Sequence, residues 1–229
     1  NLSTAKLEPW RTDGTSAGTF MIKVLSDDRV YDSHIQLQTM TFDPLPDSLD
    51  FSPFFITNND RVYFSGSDGI NGFELWTSDG VRDGPGTHLV KDLNPRHCNP
   101  DRYGLCSSFP ESFRLLGDKI IFRADFGSDN NLIFGKLWRS DGTAEGTIVL
   151  DPIEDVINNV NYLTILNNSK LVFSASNHAN GFELWITDGT AENTHILKDI
   201  VQGEWSSQPK WLKKINESIL FVAGSTGIG

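Results

Sequence analysis

Short apolar runs recur along this chain, each bounded by Gly, Asn, Asp or Pro. "KLVFSAS" (170–176) shows the pattern plainly. Leu171, Phe173 and Ala175 face one side of an extended strand, and Val172 and Ser174 face the other. "RVYFSGSD", "KIIFRAD" and "SILFVAG" read the same way. Each is preceded by another β-rich run: "SPFFITNN", "ESFRLLGD", "NYLTILNN" and "PKWLKKIN". After the first three come a tryptophan phrase and a further short run, as in "GFELWITDGT" followed by "THILKDI". No long apolar pattern of helical period is present, so the expected class is all-β.

The chain is therefore read as repeats of four strands, A to D. The repeat tryptophans are Trp10, Trp76, Trp138 and Trp185, in "KLEPWRTDGT", "GFELWTSDGV", "GKLWRSDGT" and "GFELWITDGT". Four-stranded units of roughly 47 to 66 residues predict β-propeller blades. Three complete units fall at about 52–93, 110–151 and 161–200. A fourth combines strands A and B from 209–229 with strands C and D from 6–25. The expectation is a single four-bladed propeller over 1–229, closed by its N-terminal strands, which leaves no orphan sheet edge. The alternative is an open fragment of a longer repeat array.

The recurring "TDG" or "SDG" turn suits an Asp that bonds backbone N–H groups two residues on and a Gly in the left-handed region. The Trp suits a wedge between neighbouring blades, with its N–H finding a carbonyl. The phrase reads as a fold-building part. A Ca²⁺ loop needs several oxygens at alternate positions, and "SDGT" offers one carboxylate.

"ELWITDGTAENT", "KLWRSDGTAEGT" and "ELWTSDGVRDGPGT" resemble the ELWxxDGT repeat family over all four units. The resemblance implies secreted or surface proteins with propeller-like β-structure. It brings no common activity and no catalytic residue. The turn is also similar to the structural Asp-box hairpin of sialidases. This chain departs from the pattern at Pro9, Val81 and Asn193.

Composition narrows the function classes. The formal charge is −11, with acidic residues spread along the length, and no basic stripe for nucleic acid stands out. No stretch approaches 18 apolar residues, so no membrane span is expected. Cys98 and Cys106, in "RHCNPDRYGLC", read as a local disulfide in an oxidising compartment or as a pair of cytosolic thiols. Sequons at Asn1, Asn167 and Asn216 favour the first reading and a secreted glycoprotein.

In a propeller, the B–C turns and the D-to-A connections share one face. The variable segments of this chain all belong there, including "NPRHCNPDRYGLCSSFPE" and "VQGEWSSQP". Variable loops on a rigid repeat scaffold are where binding usually resides. Tyr103, Glu111, Tyr162, Trp205, Lys210 and Trp211 form the expected ligand set, joining ring-stacking surface to polar groups. The competing reading is that Tyr162 and Trp211 merely fill the axis.

No HxxxH pair, GxSxG or phosphate loop appears, and no cofactor or metal motif is visible. The expected function is a secreted binding module for a glycan or another small polar molecule, lectin-like in character. The enzyme alternative is a hydrolase or lyase using carboxylates of the same loops, such as Asp43, Asp47, Asp50, Glu111 and Asp125. A third class is an extracellular structural or adhesive protein whose rim binds protein partners.

Overall fold

The computed structural model describes residues 8–25, 54–56, 60–95, 107–128, 131–152 and 156–224. Among these residues the protein is all-β, with no helix. Sheet I contains β3 (Phe54–Ile56), β4 (Val62–Ser67), β5 (Phe73–Ser78) and β6 (His88–Lys91). Sheet II contains β7 (Glu111–Leu116), β8 (Lys119–Ser128), β9 (Asn131–Ser140) and β10 (Ile148–Val149). Sheet III contains β11 (Asn158–Asn167), β12 (Lys170–Ser176), β13 (Phe182–Thr187) and β14 (His195–Lys198). All three are antiparallel meanders in chain order, which is the A-to-D order expected from the repeats.

Two shorter sheets accompany them. β1 (Trp10–Arg11) pairs with β2 (Phe20–Met21), and β15 (Lys210–Ile215) pairs with β16 (Ser218–Val222). The expected pairing of β16 with β1 is absent among the described residues, where these hairpins are separate two-stranded sheets.

The register of each complete sheet follows its repeat. Phe64, Phe122 and Phe173 lie directly opposite Trp76, Trp138 and Trp185. The rings of Phe122 and Trp138 stack at 6.4 Å, as do those of Phe173 and Trp185. All three tryptophans are buried, and each such side chain contributes on the order of 2–3 kcal/mol of apolar transfer energy. Only Trp185 finds the expected carbonyl, donating its Nε1–H to Ala175 O at 3.1 Å. The Nε1 atoms of Trp76 and Trp138 are buried without a partner.

The turn after each tryptophan strand behaves as its sequence predicts. Asp13, Asp79, Asp141 and Asp188 each accept the backbone N–H two residues on, at 2.9–3.0 Å. Thr15, Thr143 and Thr190 add a hydroxyl bond to the same oxygen at 2.7 Å, which Val81 cannot supply. The threonine hydroxyls hold the Asp13 and Asp141 carboxyls below their ordinary range. Gly14, Gly80, Gly142 and Gly189 take φ of +74 to +92°, a region open to glycine. At the Gly18 and Gly146 position sheet III has Asn193, which donates its own amide to Asp188 at 2.8 Å.

Neighbouring sheets join through repeated contacts. Lys91 of sheet I donates to Thr147 O of sheet II at 2.7 Å, and Lys23 donates to Thr87 O of sheet I at 2.9 Å. Arg139 of sheet II reaches Gly189 O in the turn of sheet III, and Arg11 reaches Gly80 O in the turn of sheet I. The β1–β2 hairpin therefore sits against sheet I as each sheet sits against the next. The first strands of adjacent sheets repeat a contact too. Arg114 Nε donates to Leu163 O, and Thr164 Oγ1 to Leu212 O, linking β7 to β11 and β11 to β15.

Candidate functional site

The first strand of each sheet from β7 onward starts with the same irregularity. Phe109 and Ser112, Asn159 and Tyr162, and Gln208 and Trp211 all have φ between +45 and +58°. The pairs are three residues apart and precede the buried Phe113, Leu163 and Leu212. Each coincides with a break in strand register, so these are bulges. A bulge re-aims a side chain at the cost of local pairing. A left-handed conformation costs a non-glycine residue on the order of 1 kcal/mol.

This geometry corrects the repeat alignment by one residue in the third unit. Tyr162 is equivalent to Ser112 and Trp211, and Asn161 to Glu111 and Lys210. Unit starts at 110, 161 and 209, as read from the sequence, would instead match Tyr162 with Glu111 and Lys210. Backbone φ carries no periodicity signal, and aromatic residues rarely adopt a left-handed conformation.

Five of the six expected ligand residues are described; Tyr103 lies outside the described residues. Tyr162 is half-buried against the core between sheet III and β15, while Trp211 is 45% exposed. Lys210 is exposed at the start of β15. Trp205, 75% exposed, lies in the segment leading to β15. That segment lies against the β12–β13 turn, where Ser206 Oγ accepts the Phe182 N–H at 2.9 Å. Ser107 Oγ does the same for Phe73 at 3.0 Å. The strand starts and the B–C turns therefore share one face, as the sequence suggested. Tyr162 and Trp211 hold equivalent places on neighbouring inner strands.

Glu111 belongs to a different grouping. Its Oε1 accepts Arg123 Nη1, while Arg123 Nη2 lies 4.0 Å from Asp125 Oδ1. Asp125 Oδ1 also accepts Gly135 N–H at 2.7 Å. Burial raises the Glu111 pKa, and the Arg123 charge opposes that rise. Gly135 stands where Phe73 and Phe182 stand in the other sheets. A Cβ there would collide with the Arg123 guanidinium. Sequence reasoning named Glu111 and Asp125 but missed Arg123. The clue was that sheet II alone has Arg and Gly at those two repeat positions.

Asp43, Asp47 and Asp50 lie outside the described residues, and the buried glutamates of the ELW strands are occupied by structure. Glu74 accepts Ser108 N–H, Ser108 Oγ–H and Leu93 N–H at 2.6–2.9 Å. Glu183 likewise accepts Ser207 N–H, Ser207 Oγ–H and Ile200 N–H at 2.6–2.9 Å. The "SSFP" and "SSQP" segments thus latch each ELW glutamate to the start of the next sheet. In sheet II the equivalent residue is Lys136, which binds both oxygens of Asp151 at 3.0 Å.

Among the described residues no group of three or more His, Cys, Asp or Glu could hold a metal ion. Among the described residues no helix is long and apolar enough to cross a membrane. Cys98, Cys106 and Asn1 lie outside the described residues. Asn167 and Asn216 sit at the β11–β12 and β15–β16 turns. The Asn167 carboxamide oxygen accepts Ser169 Oγ of its own sequon at 2.9 Å.

Comparison with protein-family models, with curated proteins and with solved structures finds no match.

Proposed function

We propose that this chain is a secreted binding module built as a four-bladed β-propeller. Sheets I to III are complete blades, and β15–β16 joined by β1–β2 make the fourth. Register supports this closure. Lys213 lies opposite Leu220 as Arg114 lies opposite Ile121 and Thr164 opposite Val172. Phe221 then takes the place of Phe122 and Phe173, and Trp10 is its partner. The secreted assignment rests on the sequons, the proposed Cys98–Cys106 disulfide and the ELWxxDGT resemblance.

The ligand is a glycan or another small polar molecule, held on the face where the strand starts meet the B–C turns. One observation carries this reading. Tyr162 and Trp211 are aromatic residues at equivalent left-handed bulges on adjacent inner strands. Two aromatics retained at a strained backbone position argue for a role beyond packing. Their rings supply stacking surface, and Lys210 and Trp205 extend it.

A glycan array with the purified chain tests the proposal. Trp211→Ala should lose most of any binding found. Asp188→Ala should destabilise by about 1–2 kcal/mol through its lost turn bonds and keep its affinity. Normal binding by Trp211→Ala with lost binding by folded Asp188→Ala would place the ligand on the opposite face.

A further inference from the structure

We infer that the edges of β16 and β1 form a docking interface for a second copy of this chain, joining copies head to tail. The inference rests on the register proposed above for ring closure, but it concerns a different partner for the same two edges.

In sheets I to III the second strand always pairs with the tryptophan strand, and the facing residues are buried. Trp76, Trp138 and Trp185 are buried, as are Tyr63, Ile121 and Val172 on the strand opposite. Trp10 and Leu220 hold the same two repeat positions, yet each is 64% exposed. Among the described residues neither β1 nor β16 has a second partner strand. One edge therefore carries a tryptophan lacking its phenylalanine strand, and the other carries a phenylalanine strand lacking its tryptophan. An unpaired strand edge is a template for another chain, and here the missing sequence is the chain's own.

Both hairpins are already anchored. β1–β2 is held to sheet I by the Asp83 N–H to Ile22 O bond at 2.8 Å, by Lys23, and by Arg82 4.2 Å above the Phe20 ring. β15–β16 is held to sheet III by the Thr164 contact and by Leu212, Ile219 and Phe221 in a shared core. A copy at each end satisfies both edges while each hairpin keeps its anchor. The interface is heterologous, because β1 of one copy meets β16 of the next. Closure within one chain uses the same pairing, so the two forms compete and concentration selects between them.

Arg11→Cys and Leu220→Cys test this directly, because Arg11 and Leu220 face each other in the shared register, as Arg139 faces Ile121. The two single variants are mixed and oxidised over a range of concentrations. Each single variant alone and the parent chain serve as blanks for Cys98 and Cys106. The expected result is a disulfide-linked heterodimer that forms only in the mixture and whose yield falls as the oxidation is run at lower chain concentration. The double variant should cross-link within one chain when dilute. If the mixture yields no heterodimer while the double variant cross-links internally, the inference fails and ring closure stands. If neither cross-links, the register is wrong and both readings fall.

Discussion

The junction leaving sheet III and the junction leaving sheet II solve one problem with opposite charges. At both places the residue two before the repeat tryptophan is buried and charged, and it must be satisfied where the chain passes to the next inner strand. Sheet III uses Glu183, which gathers N–H and O–H donors from Ser207 and Ile200, as Glu74 does in sheet I. Sheet II uses Lys136 and answers it with Asp151. The serine pair is absent there; Ile157 and Asn158 stand in its place, and the Asn158 Oδ1 is buried without a partner. Either an acid or a base is thus tolerated at this position, provided that its partners change with it. The lesson is that the repeat preserves a satisfied buried group rather than a particular residue.

The largest effect should come from removing the acceptor. Glu183→Ala leaves the N–H groups of Ser207 and Ile200 without their acceptor, while the Ser207 hydroxyl keeps only Phe182 O. Chemical denaturation should show a loss of about 3–4 kcal/mol. A loss below about 1 kcal/mol would mean that the latch is incidental.

The second prediction converts one junction into the other. Lys136→Glu alone faces Asp151 with a like charge and lacks serine donors, so it should cost about 2–3 kcal/mol. Adding Asn158→Ser and Asp151→Lys imports the sheet I and sheet III arrangement and should recover most of that loss. A triple variant no more stable than the single one would break the comparison.

Protonation separates the junctions more gently. Burial pushes the Glu74 carboxyl up to about 8 from its ordinary 4.5, outweighing the donors of Ser108 and Leu93. Between those values the folded chain holds a proton that the unfolded chain has released. This residue's contribution to stability therefore falls as pH rises from about 4.5 to about 8, and levels off above that. Melting temperature followed over this range should decline less in Glu74→Gln than in the parent. Parallel curves would contradict the assignment.

The smallest effect concerns the bulges. Trp211→Gly relieves the left-handed strain that Trp211→Ala retains. The glycine variant should be the more stable of the two by about 0.5–1 kcal/mol, measured by thermal melting.

The strand order was legible because period-two runs and the tryptophan phrase recur in the same sequence order that the sheets adopt. The Asp turn was legible too, since its bonds are local. The bulges at Tyr162 and Trp211 were not, because no residue type announces them. The Glu–Ser latch lay in plain view. "SSFP" and "SSQP" follow the ELW units, while "EDVINNV" follows the KLW unit. The two halves of each latch lie about 24 to 34 residues apart, and only the fold brings them together. For the candidate site, the sequence named a face and several residues as expectations, did not name Arg123, and set Tyr162 one place out of register.

In the proposed ring, the repeat pairing that builds the complete sheets also joins β16 to β1. Nuclear Overhauser contacts between Trp10 and Phe221, collected on a dilute monomeric sample, test it most directly. The account predicts contacts that repeat those of Trp138 with Phe122 and Trp185 with Phe173. Absence of any Trp10–Phe221 contact, with the Trp10 indole still open to solvent in the monomer, would contradict it.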